Sequence, residues 1–106
     1  MAEVNWTADA LRDLDEIGSF IALDSIRFAE ITVHELFMST EILETFPLSG
    51  RMVPEFKNET IREIIKGNFR IVYKIVNKIK LDVITVHYCK RLLSSNQNLF
   101  DLFNDE

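Results

Sequence analysis

Residues 61–91 have the sequence IREIIKGNFRIVYKIVNKIKLDVITVHYCKR, and the rest of the chain is organised around them. Branched and aromatic apolar residues alternate there with charged residues, which is the pattern of half-buried β-strands. The alternation breaks at Gly67-Asn68 and again from Asn77 to Lys80. We therefore predict three strands that are joined as an antiparallel meander.

The same alternation assigns the two faces of the predicted meander. With a loop at Asn77-Lys78-Ile79, Lys74 lies opposite Asp82, an opposite-charge pair worth at most about 1 kcal/mol. The predicted apolar face, which packs in the core, consists of Ile71, Tyr73, Ile75, Leu81, Val83, Thr85 and His87. The other face, predicted to be basic and half exposed, consists of Arg70, Val72, Lys74, Asp82, Ile84, Val86, Tyr88 and Lys90.

The first turn of the meander allows two registers. A two-residue loop pairs Lys66 with Phe69, whereas a three-residue loop leaves Ile61 and Ile65 to join the apolar face. We prefer the three-residue loop because register follows the burial of apolar side chains. That choice brings the like charges of Lys66 and Arg70 together, which favours an acidic or polyanionic partner on this surface.

The length and composition indicate one globular domain that folds without covalent staples. The chain has 106 residues, of which 47% are hydrophobic and 27% are charged, and domains cluster at roughly 100 to 150 residues. No apolar run approaches the roughly 20 residues that span a bilayer, and the start MAEVNW lacks a signal-peptide pattern. Cys89 is the one cysteine, so no internal disulfide or cysteine-based zinc site is expected. We expect a cytoplasmic protein with no membrane contact, no metal and no cofactor.

The net charge of −5 hides a strong asymmetry. Residues 1–48 carry two basic and ten acidic side chains, whereas residues 49–93 carry ten basic and four acidic ones. The acidic first half and the basic sheet predict a dipolar molecule whose basic part meets an acidic partner or nucleic acid.

The first half predicts a strand followed by a helical hairpin. Residues 3–6 are predicted as a short strand, and Thr7 is a good N-cap for an amphipathic helix over residues 8–23. Asp24-Ser25 then provides a break and a second cap, so the next helix is predicted over residues 26–45. The short link implies that the two helices are antiparallel.

The second predicted helix has apolar residues on two opposite sides. One stripe is formed by Ile26, Ala29, Val33, Leu36, Phe37 and Leu43, and it fits a face that lies on the sheet. The second stripe is formed by Phe28, Ile31, Met38 and Ile42. Two interpretations of the second stripe stay open: it packs under the first helix or the C-terminal tail, or it binds a partner.

Two further segments connect and end the predicted domain. Pro47 stops the second helix and Gly50 allows a turn in FPLSGR, residues 46–51. Residues 94–98 are polar and predict a break, so we divide the chain into a domain over residues 1–93 and a tail over residues 94–106. Within the tail, Leu99, Phe100, Leu102 and Phe103 predict a short amphipathic helical turn that closes back on the domain.

Taken in order, these elements resemble the RelE/ParE toxin superfamily. The resemblance rests on FPLSGR at the turn, IREI (61–64) and FRIVYKI (69–75) in the sheet, and VITVHYCKR (83–91) at its end. It covers Val4 to Leu93, and FPLSGR with the HxxxR ending is more similar to the ParE branch. The implied fold is α+β in the order β-α-α-β-β-β: an N-terminal strand and an antiparallel two-helix hairpin packed on a curved, mainly antiparallel sheet.

The resemblance implies the toxin of a type II toxin-antitoxin, or plasmid stabilisation, system that a cognate antitoxin neutralises. The ParE branch is associated with poisoning DNA gyrase, and the RelE branch with cutting mRNA on the ribosome as an mRNA interferase. We favour a ParE-like toxin that binds a protein target, because an acidic chain is poorly suited to approach ribosomal phosphates. A RelE-like endoribonuclease and a degenerate member that only binds its antitoxin remain alternatives. A homodimer or a toxin-antitoxin heterotetramer is compatible with each.

Each alternative assigns different residues. A RelE-like nuclease would use Arg62, Arg70, Lys90 and Arg91 as its catalytic cations. Arg62 and Arg70 have a plainer interpretation as partners of Glu63 or Glu59, and His87 is expected in the core. The predicted antitoxin-binding residues are Phe28, Ile31, Met38, Ile42, Arg62, Arg70 and Arg91.

Overall fold

The computed structural model describes residues 1–89, and its elements follow the predicted order. The elements are β1 (Glu3–Trp6), α1 (Ala8–Ala22), α2 (Ile26–Met38), α3 (Ile42–Thr45), β2 (Arg51–Met52), β3 (Ile61–Lys66), β4 (Phe69–Asn77) and β5 (Lys80–Tyr88). The predicted tail of residues 94–106, including its helical turn, lies outside the described residues. In residues 1–89, no helix combines the length and the apolar character needed to cross a bilayer.

The five strands form one mixed sheet in the order β1-β5-β4-β3-β2. Strand β1 is parallel to β5, and all other neighbours are antiparallel. The predicted α+β class with a helical hairpin and a mainly antiparallel sheet is therefore confirmed. The two-residue strand β2, which pairs with Glu63 and Arg62, was not predicted.

Both predicted helix caps are confirmed. The Thr7 side chain accepts a hydrogen bond from the Ala10 amide, and the Ser25 side chain accepts one from the Phe28 amide. Each cap satisfies a backbone donor that the first helical turn leaves without a partner.

The second helix is shorter than predicted, because the chain leaves the helix after Met38 and resumes at Ile42. The hydroxyls of Ser39 and Thr40 donate to the carbonyl oxygens of Leu36 and Phe37. Such local side-chain bonds to the backbone compete with helical hydrogen bonds. The prediction of one helix over residues 26–45 was wrong at this break.

The first turn of the meander has two residues, so the preferred three-residue register was wrong. Lys66 pairs with Phe69, and Ile64 pairs with Ile71 on the face toward the helices. Ile64 packs against the core, whereas Ile65 lies on the outer face and is exposed. The turn is possible because Gly67 adopts a φ of 62°, a positive value that glycine tolerates at the first central position of a hairpin turn.

A second correction concerns strand β5. Lys74 pairs with Asp82 as predicted, but the register shifts between Val72 and Tyr73, which pair with Thr85 and Val83. The extra residue in β5 is Ile84. A bulge of this kind reverses which alternate positions face the core.

The bulge changes the composition of the core beyond residue 84. Val86 is buried with Ile71, Tyr73 and Leu81, although it was assigned to the exposed face. His87 pairs with Arg70 and is exposed, so its assignment to the core was wrong. The carboxylate of Asp13 in α1 accepts hydrogen bonds from the Thr85 hydroxyl at 2.6 Å and the Val86 amide at 3.0 Å, which fixes the helix against the strand after the bulge.

Candidate functional site

The FPLSGR segment is fixed to the sheet by Tyr73, whose side chain is fully buried. The Tyr73 hydroxyl donates to the Pro47 carbonyl oxygen at 2.5 Å and accepts from the Gly50 amide at 3.0 Å. Burial raises the pKa of Tyr73, and the hydrogen bond from Gly50 opposes part of that rise. The buried phenol therefore stays neutral and holds the turn between α3 and β2.

Arg62 also holds this turn. Its Nη1 atom donates to the Gly50 carbonyl oxygen at 2.9 Å, and its Nε atom donates to the Glu59 carbonyl oxygen at 2.9 Å. Because carbonyl dipoles satisfy two of its donors, Arg62 connects the segments before and after β2.

The opposite face of the sheet contains a buried carboxylate between two arginines. The Glu63 side chain is 0% exposed, and its Oε2 atom lies 2.5 Å from Nε of Arg51. Its Oε1 atom accepts a hydrogen bond from Nε of Arg70. Two charge-assisted hydrogen bonds compensate for the loss of hydration that burial imposes on this carboxylate.

Arg70 extends this network to the segment between β2 and β3. Its Nη2 atom lies 3.1 Å from Oε1 of Glu55, so the guanidinium contacts two carboxylates. Burial would lower the pKa of Arg70, but the hydrogen bonds from its guanidinium to Glu63 and Glu55 more than compensate, and the pKa is raised. A hydrogen bond from its own backbone amide and the bond from Arg70 lower the pKa of Glu55.

The structure separates Arg62 from Arg70, the two predicted cationic residues that it describes. Arg62 pairs with Tyr73 and Arg70 pairs with Ile65, and these two positions lie on opposite faces of the sheet. The plainer interpretation of Arg70 as a partner of Glu63 is confirmed. Arg62 contacts the backbone of Glu59 and not its carboxylate. Lys90 and Arg91 lie outside the described residues.

The second apolar stripe is on the surface. Phe28, Ile31, Met38 and Ile42 are 57%, 42%, 37% and 51% exposed. The interpretation that this stripe packs under the first helix was therefore wrong, and its alternative, packing under the C-terminal tail, concerns residues outside the described ones. The break after Met38 places the last of the four residues in α3.

A groove that the sequence did not predict lies between the helical hairpin and the end of the sheet. It has a volume of about 910 Å³ and is lined by Phe20 and Phe28 from the helices and by Phe69 and Tyr88 from the strands. The rings of Phe69 and Tyr88 contact each other edge to face, with centroids 5.5 Å apart. The sequence did not predict this groove because the bulge in β5 reverses the alternation of core-facing and outward-facing residues, which placed Tyr88 on the wrong face.

Metal binding finds no support in residues 1–89, where no group of three His, Cys, Asp or Glu side chains is placed to hold an ion. The described residues offer apolar surface on the helices and a sheet in which Arg62 and Arg70 already have partners.

Comparisons with known proteins agree with this arrangement. Residues 4–93 match the family of the ParE toxin of the type II toxin-antitoxin system parDE. Y4kP, a candidate toxin of Sinorhizobium fredii, is 34% identical over 80 residues, which are 76% of this chain and 78% of that protein.

Two solved structures share the fold. The chromosomal ParDE toxin-antitoxin system of P. aeruginosa matches with a TM-score of 0.70 and 18% identity, over 85% of this chain and 98% of that one. The toxin-antitoxin complex RelBE2 of Mycobacterium tuberculosis matches with a TM-score of 0.54 and 18% identity, over 82% and 96%. The family match covers nearly all of the described residues, and one relative is more than 30% identical. The chain therefore belongs to the ParE family of type II toxins.

Proposed function

We propose that this toxin inhibits growth by binding a protein target such as DNA gyrase, without chemistry of its own, and that a cognate antitoxin neutralises it. The observation that carries this proposal is the pairing of Arg70 with Glu63 and Glu55. A guanidinium that neutralises two carboxylates has little charge left for a phosphate.

The proposal is supported by what RNA cleavage would require. Attack by a 2'-hydroxyl needs a base, an acid and cations that stabilise the developing charge on one phosphate. Arg62 and Arg70 are on opposite faces of the sheet, so they do not form such a set.

One observation favours the alternative of a RelE-like endoribonuclease. His87 is exposed and lies directly opposite Arg70 on neighbouring strands, where an imidazole beside a cation could take part in proton transfer. This alternative still requires Arg70 to exchange its carboxylate partners for a phosphate.

Two assays with the purified full chain separate these functions. In the first, gyrase and supercoiled plasmid are incubated with the toxin, and accumulation of cleaved plasmid is expected. In the second, a reconstituted translation reaction is expected to leave mRNA intact. Cleaved mRNA that disappears with Arg70→Ala and persists with Lys78→Ala, a change at the exposed β4–β5 turn, would contradict the proposal. If induced expression of the chain does not arrest growth, the result would instead favour a degenerate family member that only binds its antitoxin.

The antitoxin is proposed to bind the exposed stripe of Phe28, Ile31, Met38 and Ile42. An amphipathic antitoxin segment would cover these side chains, because helix-in-groove recognition uses apolar anchors at such spacing. Arg62 and Arg70 have internal partners, so we expect them to contribute less than the stripe, and Arg91 remains a candidate outside the described residues.

Binding of the antitoxin to this stripe can be tested with the candidate antitoxin, which is the product of a short open reading frame beside the toxin gene. Ile31→Asp is expected to weaken its binding at least tenfold, since a charge on a buried interface position is costly. Val76→Asp, at an exposed site on β4, is the control. Equal affinities for the two variants would place the antitoxin elsewhere, and light scattering of the complex would distinguish a heterodimer from a heterotetramer.

A further inference from the structure

The groove between the helical hairpin and the sheet leaves large apolar side chains uncovered. Phe20 near the end of α1 is 75% exposed, and Phe28 and Tyr88 are each 57% exposed. All three line the same concave surface, together with Phe69 and Ile17. A contiguous apolar surface of this kind usually has a binding partner.

The chain itself leads into this groove. Tyr88, the last residue of β5, lines it, and the Cys89 amide donates to the carbonyl oxygen of Asn68 at 2.6 Å. Asn68 also lines the groove, so the seventeen residues that follow Cys89 start at its mouth. The family match ends at residue 93, so residues 94–106 lie outside the matched segment.

The composition of residues 94–106 fits the groove. After the polar residues 94–98, apolar side chains recur at Leu99, Phe100, Leu102 and Phe103. The ten steps from Cys89 to Leu99 can span up to about 33 Å, which is enough for the chain to turn back. A short tether also keeps a segment at an effective concentration on the order of millimolar, which favours binding within one chain.

We propose that residues 99–103 of the same chain bind in this groove and cover Phe20, Phe28 and Tyr88 with their apolar side chains. The described residues that line the groove include one basic side chain, Lys66, and three acidic ones, Asp13, Glu16 and Glu35, so the proposal rests on apolar contact and not on charge. This inference concerns the free toxin and does not depend on its target.

Disulfide trapping in the full chain tests the proposal. In a Cys89→Ser background, Phe103→Cys is combined with Phe20→Cys in the groove, and the matched control combines Phe103→Cys with Ile65→Cys. Ile65 is exposed near the same end of the sheet but on its outer face, so it is a comparable target for a tail that does not bind. Both positions are on the surface, so neither variant should prevent folding.

The expected result is an intramolecular disulfide, seen by mass spectrometry, that forms several-fold faster with Phe20→Cys than with Ile65→Cys. Equal rates, or faster trapping at Ile65→Cys, would overturn the proposal. Disulfides found only between two chains would overturn it as well and would assign the groove to a second copy.

A second measurement uses no cysteine. Changing Leu99, Phe100, Leu102 and Phe103 to serine in the full chain should increase the fluorescence of a dye that binds apolar surface. Changing Ser94, Ser95 and Asn96 to alanine should leave it unchanged. An unaltered dye signal in the serine variant would contradict occupancy of the groove by this segment.

Discussion

The Gly50 amide donates to the Tyr73 hydroxyl at 3.0 Å, and the two residues are so close that Gly50 has no room for a side chain. A Cβ atom at Gly50 would lie 2.8 Å from Cε1 of Tyr73 and 2.6 Å from the carbonyl oxygen of Glu63. This contact explains why position 50 in FPLSGR is a glycine: the backbone itself packs on the buried ring.

Gly50→Ala should therefore destabilise the fold by about 1–3 kcal/mol, the usual cost of overpacking a core. Gly67→Ala is the control, because a Cβ there meets no atom within 4 Å and the cost comes from the φ of 62°. That backbone strain is about 1–2 kcal/mol. Urea unfolding followed by circular dichroism measures both. A Gly50→Ala protein as stable as the wild type would show that the ring and the turn separate easily.

The contribution of the Tyr73 hydroxyl to stability should decrease as the pH rises through the alkaline range. Tyr73→Phe leaves the Pro47 carbonyl and the Gly50 amide without this partner, which should cost about 1–3 kcal/mol at neutral pH. Burial raises the pKa of Tyr73 above 10.0, so in alkaline solution the unfolded chain loses this proton before the folded chain does. The stabilisation is thus present below pH 10.0 and is lost as the pH rises through the folded pKa.

Urea midpoints from about pH 8 to about pH 11 test this. The difference in stability between the wild type and Tyr73→Phe should shrink toward the alkaline end. A constant difference would show that Tyr73 does not carry the alkaline dependence.

Glu63→Gln should be the most damaging single change on the outer face of the sheet. The glutamine amide would direct N–H donors at Arg51 or Arg70, and two cations would lose their shared counter-ion. Removing one member of a buried ion pair costs about 3–5 kcal/mol. Glu59→Gln, at an exposed position nearby, should change stability by less than about 0.5 kcal/mol. Thermal unfolding of the two variants compares them directly, and similar melting temperatures would contradict the buried network.

Glu55 should make the segment between β2 and β3 sensitive to acid. The Glu55 backbone amide and Arg70 lower the pKa of this carboxyl below its ordinary value of 4.5. Its contribution to stability is therefore present above pH 4.5 and is lost as the pH falls through the lower folded pKa.

Limited proteolysis across this pH range reports the effect on the segment. Cleavage after Lys57 should increase on acidification in the wild type and should already be elevated at neutral pH in Glu55→Gln. If cleavage of the wild type does not change with pH, the ionised Glu55 side chain does not keep this segment ordered.

The α+β class, the helix caps and the pairing of Lys74 with Asp82 could be predicted because each depends on residues a few positions apart. The turn at Gly67 and the bulge at Ile84 could not. The register at Gly67 exchanges the faces of the side chains in β3, and the bulge at Ile84 exchanges those of the residues that follow it in β5. His87 and Val86 were exchanged for this reason, and the groove beside Tyr88 was missed with them.

The order of the elements, the family and the apolar excess of the second helix could be inferred from the residues alone, since these follow from local periodicity and from the spacing of the segments. The roles of the arginines, in contrast, depend on contacts that form only in the folded protein. Arg62 and Arg70 are both cationic strand residues in the sequence, yet one bonds to carbonyl oxygens of a turn and the other to a buried carboxylate. Charge is a property of a residue, but its availability depends on which groups the fold places within hydrogen-bonding distance.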